Sequence, residues 1–130
     1  MQQVPVISIV DDDLSVREAA EGLVRSLGYT AATFASAEEF LDSGRVDSTS
    51  CLISDVHMPG LSGVELQDRL IAEGYSMPII FVTAYPDEKL RGRVLRAGAI
   101  GYLSKPFSED HLIECLDSAL KNDEGRHAGA

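Results

Sequence analysis

Three consecutive acids, Asp11-Asp12-Asp13, close one apolar run, and a fourth, Asp55, closes another that reads CLISD. Thr83 ends a third such run, and Lys105, followed by Pro106, ends a short fourth. Each is ordinary by itself, since acids cap helices, threonine suits a strand and a lone lysine is usually solvated. Brought together they make a site. Carboxylates in close quarters repel until one takes up a proton or a cation intervenes, and an ionised carboxylate is too costly to bury without a partner. Hard oxygen donors that leave coordination places for water and an incoming phosphate suit Mg²⁺. One hydroxyl and one ammonium at the same edge would let that site hold a phosphoryl group beside the metal.

The elements that must position these residues are legible in order. Val4 to Val10 predicts a buried strand, and Leu14 onward predicts a helix with Val16, Ala20, Leu23, Val24 and Leu27 on one face before Gly28. Asp13 and Ser15 serve its start. Tyr29 to Phe34 predicts a second strand, and Ser36 with Glu39 predicts a capping box opening a helix with Ala37, Phe40 and Leu41 inward. Gly44 to Ser50 is turn-like. Cys51 to Asp55 is the third strand, and after Met58-Pro59-Gly60 a helix capped by Ser62 turns Leu66, Leu70 and Ile71 inward. Pro78 to Thr83 is the fourth strand, Pro78 being tolerable where it opens the run. Asp87 caps a helix carrying Leu90, Val94 and Leu95 that ends near Gly98. Gly101 to Ser104 is the fifth strand, and Ser108 caps a last helix striped with Leu112, Ile113, Leu116, Ala119 and Leu120.

Five strand-to-helix repeats with near-continuous apolar strands predict an α/β fold, a doubly wound five-stranded parallel sheet of order 2-1-3-4-5 with five helices. In such a sheet ligands bind beyond the carboxyl ends of the strands, near the point where strand order reverses. Asp11, Asp12, Asp55, Thr83 and Lys105 all stand at that edge. Residues 1–121 are expected to form one domain, and residues 122–130, small and polar, a flexible tail.

Composition narrows the function. A chain of 130 residues, 45% apolar and 25% charged, suits one globular domain. The formal net charge of -10 disfavours direct binding to nucleic acid or to an anionic membrane. Cys51 and Cys115 show no metal-ligand spacing and read as free buried thiols of a reducing cytoplasm. No signal peptide is visible, and the strongest apolar run, Met77 to Ala84, is too short to cross a bilayer. A cytoplasmic protein is expected.

The motifs IVDDD, SDVHMPGLSG, VTAY and YLSKPF, at these spacings, resemble the receiver domain of bacterial two-component response regulators, over residues about 4 to 121. The resemblance implies the flavodoxin-like receiver fold and a phosphorelay function. Asp55 would be the phosphoacceptor, Asp12 a direct Mg²⁺ ligand, Asp11 a ligand acting mainly through water, and the backbone carbonyl of His57 the other protein ligand. Thr83 and Lys105 would bind phosphoryl oxygens, and Lys105-Pro106 would be a cis peptide. The donor would be a phosphohistidine on a sensor histidine kinase or a histidine phosphotransfer protein. Tyr102 stands where the family places its switch aromatic, so that Thr83 and Tyr102 would remodel the face of helix four, strand five and helix five for a downstream protein, an output domain or a second copy in a phosphorylation-dependent homodimer. The basic stripe of Lys89, Arg93 and Arg96 on helix four reads first as a solvated face. His57 and Tyr85, each two residues beyond a site residue, are placed to tune the lifetime of the phosphoaspartate.

Two other classes compete. An aspartate-nucleophile phosphatase would carry its nucleophile in a DxD-like motif after strand one and commonly a cap domain; Asp11 and Asp13 meet that spacing only nominally. A flavodoxin-like electron carrier would need a phosphate-binding loop after strand one, where three acids here would repel the flavin phosphate. A receiver-like fold that has lost phosphorylation is disfavoured because every catalytic position is filled. The reading is therefore a signalling module that catalyses its own phosphotransfer and autodephosphorylation, not an enzyme acting on another substrate.

Overall fold

The computed structural model describes residues 4–128, with side chains through Lys121. Five strands alternate with five helices: β1 Val6–Val10, α1 Leu14–Ser26, β2 Thr30–Phe34, α2 Ala37–Asp42, β3 Cys51–Asp55, α3 Gly63–Ala72, β4 Ile79–Thr83, α4 Glu88–Arg96, β5 Gly101–Ser104 and α5 Glu109–Ala128. All strand pairs are parallel, in the order β2-β1-β3-β4-β5. The expected doubly wound sheet is thus the observed one.

Alternation along the strands divides the core in two. Val10, Leu52 and Phe81 face one way and pack with Phe40, Leu66 and Val94 from α2, α3 and α4. Ile9, Ile53 and Val82 face the other way and pack with Ala20 and Val24 of α1 and Leu112 and Leu116 of α5. Every residue of β3 and β4 is buried, as strands covered on both faces require. Each fully buried aliphatic or Phe side chain contributes about 1.5–3 kcal/mol of transfer free energy. That tight sandwich is what lets polar residues be carried to its edge in fixed positions.

Helix starts are fixed locally. Asp13 caps α1 and Asp87 caps α4, each accepting from main-chain N–H groups of the first turn. The capping box predicted at Ser36 forms only in part. The Ser36 hydroxyl accepts from Glu39 N–H, but the Glu39 carboxylate accepts from Ala35 N–H at 3.3 Å rather than from its own cap. The complete box lies at Ser62 and Glu65, opening α3.

Two further expectations are corrected. Ile71 is 49% exposed instead of inward, because α3 turns Val64, Leu66, Gln67 and Leu70 to the core. Leu27, at 37% exposure, is the C-cap of α1 and not part of its buried face. The main chain of α5 stays helical past Lys121, the expected domain end, to Ala128; Gly129 and Ala130 lie outside the described residues. Cys51 and Cys115 are free and buried, as expected. No helix among the described residues is long and apolar enough to cross a membrane.

Candidate functional site

The sheet delivers its polar residues to one edge by register. Val10 pairs with Ser54 and Asp55 with Val82, while Thr83 pairs with Ser104. The residues that follow β1, end β3 and β4, and follow β5 therefore stand side by side. Asp11, Asp12 and Asp55 each offer a carboxylate oxygen within 4.8 Å of the others. Asp11 and Asp55 are buried and Asp12 is exposed, so the cluster has a closed floor and one open side.

Lys105 supplies the counter-charge. Its Nζ lies 3.0 Å from Asp11 Oδ2 and 3.3 Å from Asp55 Oδ2, with a hydrogen bond of 3.2 Å to Asp11 Oδ1. The Lys105-Pro106 peptide is cis. Burial opposes the Lys105 charge, but hydrogen bonding and the charges of Asp11 and Asp55 hold its pKa above the ordinary value. One ammonium does not satisfy three acids. Burial, then the charge of Asp11, pushes Asp55 up to about 7; Lys105 pulls it down, and a hydrogen bond with Asp12 pushes it up again. The cluster is short of positive charge, and its donors are all hard oxygens. A divalent ion of that preference fits it.

The walls are set by the loops. Thr83, fully buried, accepts a hydrogen bond at its Oγ1 from Tyr85 N–H at 3.0 Å. Tyr85 itself is 73% exposed, and its ring meets His57 edge-on, centroids 5.8 Å apart at 70°. Half-buried Tyr102 accepts from Asp87 N–H through its hydroxyl at 3.1 Å, tying β5 to the start of α4. The loop after Asp55 is shaped by two glycines. Gly60 takes φ 77°, and a Cβ there would strike the Glu38 carboxylate, which accepts from Leu61 N–H at 2.9 Å. At Gly63 a Cβ would strike the Asp55 main-chain oxygen, so α3 begins directly against the end of β3. On α4, Lys89, Arg93 and Arg96 are exposed, and Arg93 pairs with Asp68 at 2.9 Å.

Asp11, Asp12, Asp55 and Lys105, read from the sequence, are thus in one cluster. Thr83 lies at the same strand edge, His57 and Tyr85 touch each other, and Tyr102 reaches the β4–α4 loop instead. Two residues outside the sequence motifs, Glu38 and Arg17, also hold the loops around the cluster. Arg17 Nη1 donates to the Asp11 main-chain oxygen at 2.7 Å. Its signal was available, since a cation in the first turn of α1 stands where the helix dipole disfavours it and must be held by something else. Nothing in the sequence marks Glu38 off from a solvated acid.

Comparison with known proteins follows the same lines. The family model described as the response regulator receiver domain matches residues 7–117. Nodulation protein W of Bradyrhizobium diazoefficiens is 39% identical over 121 residues, covering 93% of this chain and 53% of that protein. Response regulator protein TmoT of Ectopseudomonas mendocina is 42% identical over 119 residues, covering 92% of this chain and 54% of that protein. The chain spans about half the length of these relatives. The solved structure of the response regulator StyR superposes with a TM-score of 0.89 at 40% identity, covering 98% of this chain and 64% of that one.

Proposed function

The chain belongs to the response regulator receiver family, and from that premise we propose that Asp55 accepts a phosphoryl group from a phosphohistidine donor in a Mg²⁺-dependent reaction. The observation that carries this reading is the meeting of Asp55, Asp11 and Lys105, with one ammonium within 3.3 Å of both buried carboxylates. An Oδ of ionised Asp55 attacks phosphorus in line with the P–N bond, and that bond's electron pair returns to the donor imidazole. Lys105 offers its ammonium to the transferring oxygens, and Thr83 its hydroxyl. Asp12, Asp55 and the His57 carbonyl, with Asp11 mainly through water, would hold the Mg²⁺, which would supply neutralisation of the charge that gathers on the phosphoryl group.

The same contacts support a route outward. Thr83 Oγ1 is engaged by Tyr85 N–H, so drawing the hydroxyl toward a phosphoryl group loosens the loop before α4. Tyr102 is bonded to that loop through Asp87 N–H and follows it. The face of α4, β5 and α5 is then the readout, addressed to an output domain, a protein partner or a second copy. The donor is a sensor histidine kinase or a histidine phosphotransfer protein, met in the cytoplasm. His57 and Tyr85 set how long the phosphoaspartate survives, and autodephosphorylation is the module's own. We place the phosphoaccepting unit within residues 1–121.

The test is mass spectrometry after incubation with acetyl phosphate, with Mg²⁺ and with chelator. Gain of one phosphoryl group only with Mg²⁺ is expected; no gain in either, or equal gain in both, contradicts the reading.

A further inference from the structure

The connection from β1 to α1 is held at several points. Asp11 N–H donates to Phe34 O at 3.1 Å, which fastens it to β2. Asp13 N–H donates to Asp11 Oδ1 at 2.9 Å, and Asp13 Oδ1 accepts from Ser15 N–H and hydroxyl at 3.0 and 2.9 Å. The peptide between Asp11 and Asp12 is the part these bonds leave out. Arg17, half-buried one turn into α1, reaches back to it, donating from Nη1 to the Asp11 main-chain oxygen at 2.7 Å.

That peptide plane decides where Asp12 points. A peptide group is rigid, so fixing its oxygen fixes the Cα from which the Asp12 carboxylate emerges. Asp12 is the exposed acid of the three, the one with least structure to aim it. Lys105, by contrast, bonds carboxylate oxygens of Asp11 and so occupies lone pairs that a metal would use. Arg17 binds a main-chain oxygen and leaves carboxylate lone pairs free.

We infer that Arg17 is a positioning residue for the divalent ion, holding the Asp11–Asp12 peptide so that both carboxylates are presented to it. The inference rests on the metal reading given under Proposed function. Two effects of the guanidinium oppose one another. Its charge alone repels a dication, while its hydrogen bond pre-organises the ligands. At 2.7 Å the bond is short and charge-assisted, and Arg17 is only half-buried, so solvent and salt screen its charge. Anchoring therefore wins.

Calorimetric titration with MgCl₂ of the wild-type chain, Arg17→Met and Arg17→Lys decides it, with metal-free melting temperatures measured alongside. Outer-shell partners of metal ligands are worth about 10–100-fold in affinity, and one acting through a peptide is expected to give about 3–10-fold weaker Mg²⁺ binding in Arg17→Met. Arg17→Lys should recover part of the loss, and should it be the only variant that folds, it still binds more weakly than wild type. Unchanged affinity in both variants, with only the melting temperature lowered, would reduce Arg17 to a structural strap; tighter binding in Arg17→Met would show that repulsion dominates. Either overturns the inference and leaves the phosphoacceptor reading standing. Absence of Mg²⁺ binding by the wild type overturns both.

Discussion

The Lys105 ammonium stands 3.3 Å from Asp55 Oδ2, an approach made by residues fifty positions apart in the chain and separated in the sheet by β4. It works against the burial and the Asp11 charge that disfavour ionisation of Asp55. Removing the cation should therefore harm chemistry more than folding. Lys105→Met is expected to lower the rate of Asp55 labelling by acetyl phosphate by about 10²–10³-fold, the usual cost of one preorganised electrostatic partner. Stopped-time mass spectrometry measures it, and a loss under threefold would remove Lys105 from the transfer step.

The raised pKa of Asp55 has a signed consequence for stability. Its folded value of about 7 lies above the ordinary 3.8, so the folded state binds the extra proton. The associated stability is complete below pH 4 and is lost as pH rises through 7. Asp13 and Glu38 are shifted the other way, by hydrogen bonds from Ser15 and Leu61 respectively, and their contribution is lost only as pH falls below the ordinary carboxylate range. Metal-free protein should thus lose on the order of 1–2 kcal/mol between pH 5 and 8, and Asp55→Asn should flatten that slope. Mg²⁺ should raise the melting temperature more at pH 8 than at pH 5.5. Urea melts at the two pH values check this; a wild-type stability that rises with pH would contradict it.

His57 and Tyr85, each two residues beyond a site residue, meet edge-on with centroids 5.8 Å apart. Such a pair can screen the water that attacks the phosphoaspartate. Removing either ring, by His57→Ala or Tyr85→Ala, should shorten the lifetime of the phosphorylated form by about 2–10-fold, at most the 10²–10⁴-fold that a positioned proton-transfer group would give. Decay followed after removal of the donor gives the rate, and unchanged lifetimes in both variants would sink the idea.

Gln67 invites a stability test away from the site. It is 2% exposed, its Nε2 donates to Val94 O at 3.1 Å, and its Oε1 has no hydrogen-bond partner among the described residues. Val94 O also accepts from Ala99 N–H, so it keeps a partner if the glutamine goes. Gln67→Met forfeits one hydrogen bond of about 1 kcal/mol and removes an unsatisfied oxygen that costs about 1–3 kcal/mol. A net gain in urea-melt stability is expected, and a loss beyond about 1 kcal/mol would show that the oxygen is satisfied in solution.

How much of this was legible in the sequence depends on what each residue answers to. The strands answer to apolar content, so CLISD and IIFVT could be read directly, and strand ends then located the acids, Thr83 and Lys105. The spacing of Ile71 from Leu66 and Leu70 fits an inward helical face equally well, yet the residue is exposed. The inward face of α3 instead includes Gln67, whose Nε2 donates to the main chain of α4 at Val94, 27 residues further along. Arg17 and Glu38 were hidden for a related reason. Each bonds a main-chain group of a loop, and side chains that serve a backbone carry no signature in residue type. Glu39 shows the limit of local rules, its carboxylate going one residue further back than the capping pattern predicts.

The central claim is that Asp55 is the group that takes the phosphoryl. Wild type and Asp55→Asn, each incubated with acetyl phosphate and Mg²⁺ and weighed by intact-mass spectrometry, test it most directly. The wild type should gain one phosphoryl group and the variant none. Equal labelling of the two proteins would contradict it.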